Sequence, residues 1–139
     1  MGGIGSVSAV TLLLDTHVLL WALGAPHRLP AALRDRLVDR RETLLVSAAS
    51  AFEIATKHRL GRLPEASALV RSFERQIARL AADHLPIRAE HALAAGALDW
   101  PHRDPFDRVL AAQAMTEGIT LVSADPVFAT LPGLSVDWG

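Results

Sequence analysis

Five acidic residues of this sequence stand where a carboxylate can do chemistry. Asp15 ends the apolar run 10–14, and Glu53 lies early in a helical stretch that follows the apolar run 43–46. Asp107 opens the helical stretch after Pro105, and Asp125 stands three residues past the apolar run 119–122. Asp104, three residues before Asp107, shares its face at that helix start. Carboxylates brought to one crevice repel one another and take up protons unless a cation joins them. Oxygen donors suit Mg²⁺, with Mn²⁺ as a substitute, whereas zinc favours His and Cys. Cysteine is absent, and neither an HExxH nor a P-loop pattern occurs. An all-carboxylate site of this kind serves phosphoryl transfer, and no other nucleophile is evident, so the residues point to phosphodiester hydrolysis by metal-activated water.

Plainer readings stand beside this one. Asp104 also fits an N-cap, with Pro105 at the first helical position and Asp107 as the reciprocal acid of a capping box. Asp125 before Pro126 also fits a cap. Glu53 also fits an i,i+4 partner of Lys57, worth about 0.3 kcal/mol. Asp15 is harder to explain away, because a charge abutting a buried strand needs a reason.

The elements that must position these acids alternate in type. Strands are expected at 10–14, 43–46 and 119–122, a brief extended segment at 83–87, and an edge strand at 134–138. Helices are expected at 18–23, from Pro30 with Leu33 and Leu37 inward, at 48–60 behind a Ser47 or Ser50 cap, at 88–98 and at 106–117. Residues 65–80 read as one amphipathic helix carrying Leu69, Phe73, Ile77 and Leu80. The stretch 99–105 is expected as a loop and 126–131 as a turn. Alternation at these spacings predicts an α/β fold, a three-layer α/β/α sandwich around a mostly parallel sheet of four to five strands. Trp21 and Phe52 are expected in the core rather than as base-stacking residues.

A chain of 139 residues supplies one domain. Residues 9–139 are assigned to it, and residues 1–8, rich in Gly and Ser, to a flexible leader. Without Cys or an uninterrupted apolar span, a cytoplasmic protein without a membrane segment is expected. The formal net charge of -1 neither demands nor excludes nucleic acid, so local clustering decides. Lys57, His58, Arg59 and Arg62 form a basic cluster, and Arg103 and Arg108 flank the Asp104–Asp107 pair. Such a cluster is also what a solvated face looks like.

Four blocks carry a resemblance: Leu13-Leu14-Asp15-Thr16-His17, the segment 47–55 around Glu53, His102-Arg103-Asp104-Pro105-Phe106-Asp107-Arg108, and Leu121-Val122-Ser123-Ala124-Asp125. In order and spacing they resemble the PIN-domain ribonucleases, and among them the VapC toxins of bacterial toxin–antitoxin pairs, over residues 12–138. The heptad 102–108 is the most specific. The resemblance implies a PIN-like sandwich in which Asp15, Glu53, Asp107 and Asp125 are the catalytic quartet, binding Mg²⁺ or Mn²⁺ and positioning the attacking water. It implies Thr16 and Ser123 as supporting hydroxyls, and Asp104 as an outer ligand or a cap. It implies an RNA substrate, a VapB-type antitoxin, and a homodimer that assembles with the antitoxin into a heterotetramer or larger.

On that basis Lys57, Arg59, Arg62 and Arg103 are expected on RNA phosphates, and Arg108 is expected to hold a carboxylate. His102 is expected as a loop residue with a structural hydrogen bond, and His17 as a wall of the pocket. The apolar positions of 38–46 and 60–73 are candidate dimer or antitoxin surface. Ala124 departs from relatives, where this position is often basic. A Mg²⁺-dependent phosphatase or phosphotransferase is the rival enzyme, but its usual Asp-x-Asp after the first strand meets His17 here. A non-catalytic binding module is the other rival, and it predicts acids scattered among helix caps.

Overall fold

The computed structural model describes residues 10–39 and 41–139. The leader expected at 1–8 lies outside them. Within the described residues, five strands form one sheet in the order β3-β2-β1-β4-β5: β1 Thr11–Leu14, β2 Thr43–Ser47, β3 Asp83–Leu85, β4 Thr120–Val122 and β5 Val136–Asp137. Every pairing is parallel. All carboxyl ends therefore lie on one edge of the sheet.

Seven helices connect the strands: α1 Thr16–Gly24, α2 Ala31–Val38, α3 Ala48–Arg59, α4 Ser67–Arg71, α5 Phe73–Arg79, α6 Ala89–Ala97 and α7 Pro105–Glu117. Because successive side chains of a strand point to opposite faces, β1 divides its leucines. Leu12 and Leu14 join Val18, Leu33, Ile54, Leu69 and Ile77 in one core, whereas Leu13 joins Leu110, Ala111, Ala114, Leu121 and Phe128 in the other. The three layers follow from that division, as expected from the alternation of elements. Gly118 ends α7 in the left-handed region at φ 67°, where its N–H reaches the Ala114 carbonyl.

Two element boundaries differ from expectation. The single helix expected at 65–80 is broken at Ser72, whose φ is -139° and whose hydroxyl donates to the Ala68 carbonyl at 2.7 Å. A short 3₁₀ turn at Pro64–Ala66, then α4, then α5 take its place. Helix α1 begins at Thr16 rather than at 18, because Asp15 is itself its N-cap. Among the described residues, no helix is long and apolar enough to cross a membrane.

Candidate metal centre

The sheet order reverses direction at β1, with β2 and β3 on one side and β4 and β5 on the other. In an open parallel sheet such a switch point leaves a crevice beyond the carboxyl ends of the strands. Asp15 stands there. Its N–H donates to the Val122 carbonyl at 3.0 Å, extending the β1–β4 ladder by one step. Its side chain is 6% exposed; Oδ1 accepts from Thr16 N at 2.7 Å and Oδ2 from the Ser123 hydroxyl at 2.7 Å.

Glu53 comes from α3, which Ser47 starts by accepting from Ala49 N at 2.9 Å. Ser50 does not cap. It shares a 2.9 Å hydrogen bond with the Thr16 hydroxyl, which in turn donates to Glu53 Oε1 at 2.6 Å. Glu53 is 4% exposed, and its Oε2 is paired with Lys57. The i,i+4 pair with Lys57 is therefore present as expected, and the burial of Glu53 places it at the pocket. Burial pulls Lys57 down, yet the Glu53 carboxylate, with Asp104 and Asp107 beyond it, outweighs that and holds the ammonium above its ordinary value. Lys57 is thus held against Glu53 at the pocket.

Asp107 comes from the first turn of α7. Its Oδ2 meets His102 Nε2 at 2.7 Å. Asp104 caps the helix by accepting from Phe106 N at 2.9 Å and from Asp107 N at 3.3 Å. Asp107 does not return the favour as a capping-box acid, since it is engaged by His102. Ligand atoms of His102, Asp104 and Asp107 lie within 4.8 Å of one another. Asp125 caps the 3₁₀ turn Pro126–Thr130 through Val127 N at 2.9 Å. It also lines, with Asp15, His17, Trp21 and Ala124, an open crevice of about 230 Å³. Asp15 thus shares a crevice with Asp125 and contacts Thr16 as Glu53 does, while the charges of Asp15 and Glu53 both act on Asp107.

Arg108 contacts no carboxylate, which corrects its expected role. Its guanidinium donates to the carbonyls of Ala95, Leu98, Trp100 and His102 at 3.0, 2.8, 2.8 and 2.9 Å. It therefore fixes the loop that carries His102, one step removed from Asp107. Arg59, Arg62 and Arg103 are exposed and make no ion pair among the described residues.

The electrostatics fit a hard divalent ion. Burial raises Asp15 above the usual carboxylate range, against the hydrogen bonds of Ser123 and Thr16, and the Glu53 charge adds to the rise. Burial, with the charges of Asp104, Asp15 and Glu53, pushes Asp107 up to about 6 although His102 opposes it. Acids that disfavour one another's ionisation, with oxygen donors only among the quartet, are the setting a divalent cation relieves. The sign of the pH dependence follows. Without a cation, the stability contribution from Asp107 is full below its ordinary 3.8 and is lost as pH rises through about 6. A proton competes with a cation below that value, so Mn²⁺ or Mg²⁺ is expected to raise the melting temperature more at about pH 7.5 than at about pH 5. Equal shifts at both pH values would remove Asp107 from the ligands.

Ser50 was the member sequence reasoning undervalued, whereas His102 makes the structural hydrogen bond expected of it, to Asp107. Ser50 carried a signal, standing three residues before Glu53 on the same face of α3. For His102 the sequence left only the partner open, because its contact with Asp107 crosses a loop.

The sequence matches the PIN domain family over residues 12–134. The chain belongs to that family. Among solved structures of similar fold, VapBC2 from Rickettsia felis bound to a promoter DNA fragment superposes with a TM-score of 0.68 at 17% identity, covering 92% of this chain and 98% of that one. DNA-bound VapBC from Salmonella typhimurium gives 0.68 at 18% identity, covering 94% and 99%. FitAcB from Neisseria gonorrhoeae gives 0.53 at 20%, covering 90% and 95%. No curated protein matches the sequence. At these identities the structural likeness is one of fold.

Proposed function

We propose that the chain is a metal-dependent endoribonuclease toxin that hydrolyses RNA phosphodiester bonds with water and is held silent by a VapB-type antitoxin. The observation that carries the reading is the convergence of Asp15, Glu53 and Asp107 from three separate elements, the first two joined through Thr16, whose N–H donates to Asp15 and whose hydroxyl donates to Glu53. Asp15, Glu53, Asp107 and Asp125 would hold Mg²⁺, with Mn²⁺ able to substitute. Such an ion supplies Lewis acidity toward a phosphate and lowers the pKa of water.

The chain's own groups do the rest. Thr16 and Ser123 orient Glu53 and Asp15 by donating to them. His102 orients Asp107, and Arg108 orients His102 through its carbonyl. Lys57 keeps the pocket from collapsing into protonated carboxyls by sharing its charge with Glu53. Arg59, Arg62 and Arg103 are available to the backbone phosphates, which such contacts position without reading sequence.

A phosphotransferase using an aspartyl phosphate finds His17 where its second acid belongs. A binding module with capping acids does not account for Glu53, which caps nothing and is buried beside Thr16. Toxin–antitoxin complexes among the similar folds support an antitoxin partner, and the family resemblance adds a homodimer that builds a heterotetramer or larger with it. Total cellular RNA treated with the protein is expected to yield discrete fragments with Mg²⁺ and none after EDTA. Fragmentation that persists under chelation would overturn the metal-dependent reading.

A further inference from the structure

Phe52 is 67% exposed although its neighbours Glu53 and Ile54 are buried. Consecutive helical residues are about 100° apart, so turning Glu53 into the pocket turns Phe52 outward. The ring is not loose. It meets Phe106 edge to face, with centroids 5.3 Å apart and planes at 86°. Phe106 precedes Asp107 as Phe52 precedes Glu53, so the contact ties the helix that carries Glu53 to the start of the helix that carries Asp107. The contact fixes Phe52 without covering it.

The surroundings indicate what would cover it. The outward face of α3 presents Ala48, Phe52, Ala55 and Arg59, all exposed. Arg59 returns to the face of Phe52 after two turns, about 10 Å along the axis. Neither Arg59 nor the exposed Arg103 makes an ion pair among the described residues. An amphipathic peptide helix needs a stripe of large apolar contacts at i, i+3, i+4 and i+7, and this face offers one. A flat ring beside carboxylates and unpaired guanidinium groups instead complements single-stranded nucleic acid, whose bases stack while its phosphates take the cations.

We propose that the Phe52–Phe106 pair is a stacking platform for a nucleobase of the RNA substrate, immediately beside the phosphate to be cleaved. The inference rests on the ribonuclease reading and adds to it a positioning residue on the rim. An unstacked base seated on Phe52 would fix the strand's approach to the acids, favouring single-stranded over duplex RNA.

The test uses an oligoribonucleotide taken from a cleavage site mapped on total RNA, with 2-aminopurine placed at successive positions. Phe52→Ala is expected to raise KM by about tenfold or more while kcat changes little, the range set by base–aromatic stacking. One 2-aminopurine position is expected to be quenched on binding to the wild-type protein and not to Phe52→Ala. Phe52→Trp should restore both readouts, and Phe52→Leu, apolar without a π-face, should restore neither. Unchanged KM and quenching in Phe52→Ala, with wild-type cleavage intact, would overturn the platform alone. The same unchanged values together with weakened antitoxin binding would make the pair a protein-docking patch and overturn it as well. A wild-type protein that neither binds nor cleaves RNA takes away the ribonuclease reading, and the platform with it.

Discussion

Asp15→Asn is expected to lower kcat/KM for metal-dependent RNA cleavage by about a thousandfold, the equivalent of roughly 4 kcal/mol of transition-state stabilisation. The same change is expected to leave the fold as stable as before or more so. Both halves come from the same geometry. Asp15 Oδ1 accepts a backbone N–H, a task an amide oxygen also performs. Oδ2 accepts from Ser123, whose hydroxyl can rotate to accept from an amide N–H instead. The hydrogen bonds survive and only the charge is lost. That charge is costly to the fold, since burial already raises the group above its ordinary value. A thermal melt without divalent ions therefore serves as the control for folding, and RNA cleavage with Mg²⁺ as the readout. Cleavage at the wild-type rate in a folded Asp15→Asn would sink the assigned role, and a lower melting temperature would contradict the account of burial.

The central strand and its acid were legible because an apolar run stopping on a carboxylate is a physical anomaly. The three-layer order was legible for a similar reason, since strands and helices alternate with few residues between them. Other features were hidden by the kind of signal being read. Periodicity passes unbroken through Ser72 because Leu69 and Ile77 face the same core on both sides of the break. At the break the Ser72 hydroxyl joins its own N–H on the Ala68 carbonyl, a contact no apolar pattern records.

Phe52 was misplaced by residue type, when helix arithmetic would have turned it away from the face of Glu53. Lys57 lies four residues after Glu53 and so on its face, whereas Arg59 follows Phe52 outward. The capping reading of Asp104 was correct, and its partner in that reading was not, because His102 captured Asp107. Tertiary contacts of this sort decide between readings that are equal in the sequence.

Arg108→Ala is expected to destabilise the protein by about 3 kcal/mol, because several charge-assisted hydrogen bonds to carbonyls are lost and water replaces only part of them. The four carbonyls belong to Ala95, Leu98, Trp100 and His102, so one planar group ties the end of α6 to the loop before α7. Loosening that loop frees His102 from its place against Asp107, and cleavage should fall with stability. Arg108→Lys separates this account from one in which position 108 merely supplies positive charge near the acids. A lysine keeps the charge but cannot fork to four acceptors. If the guanidinium acts as a clamp, the lysine variant should recover less than half of the lost stability, and amide hydrogens at 98–103 should still exchange faster than in the wild type. Urea unfolding and hydrogen exchange measure the two effects independently. A lysine variant indistinguishable from the wild type in both would show that charge, and not the fork, is what the loop requires.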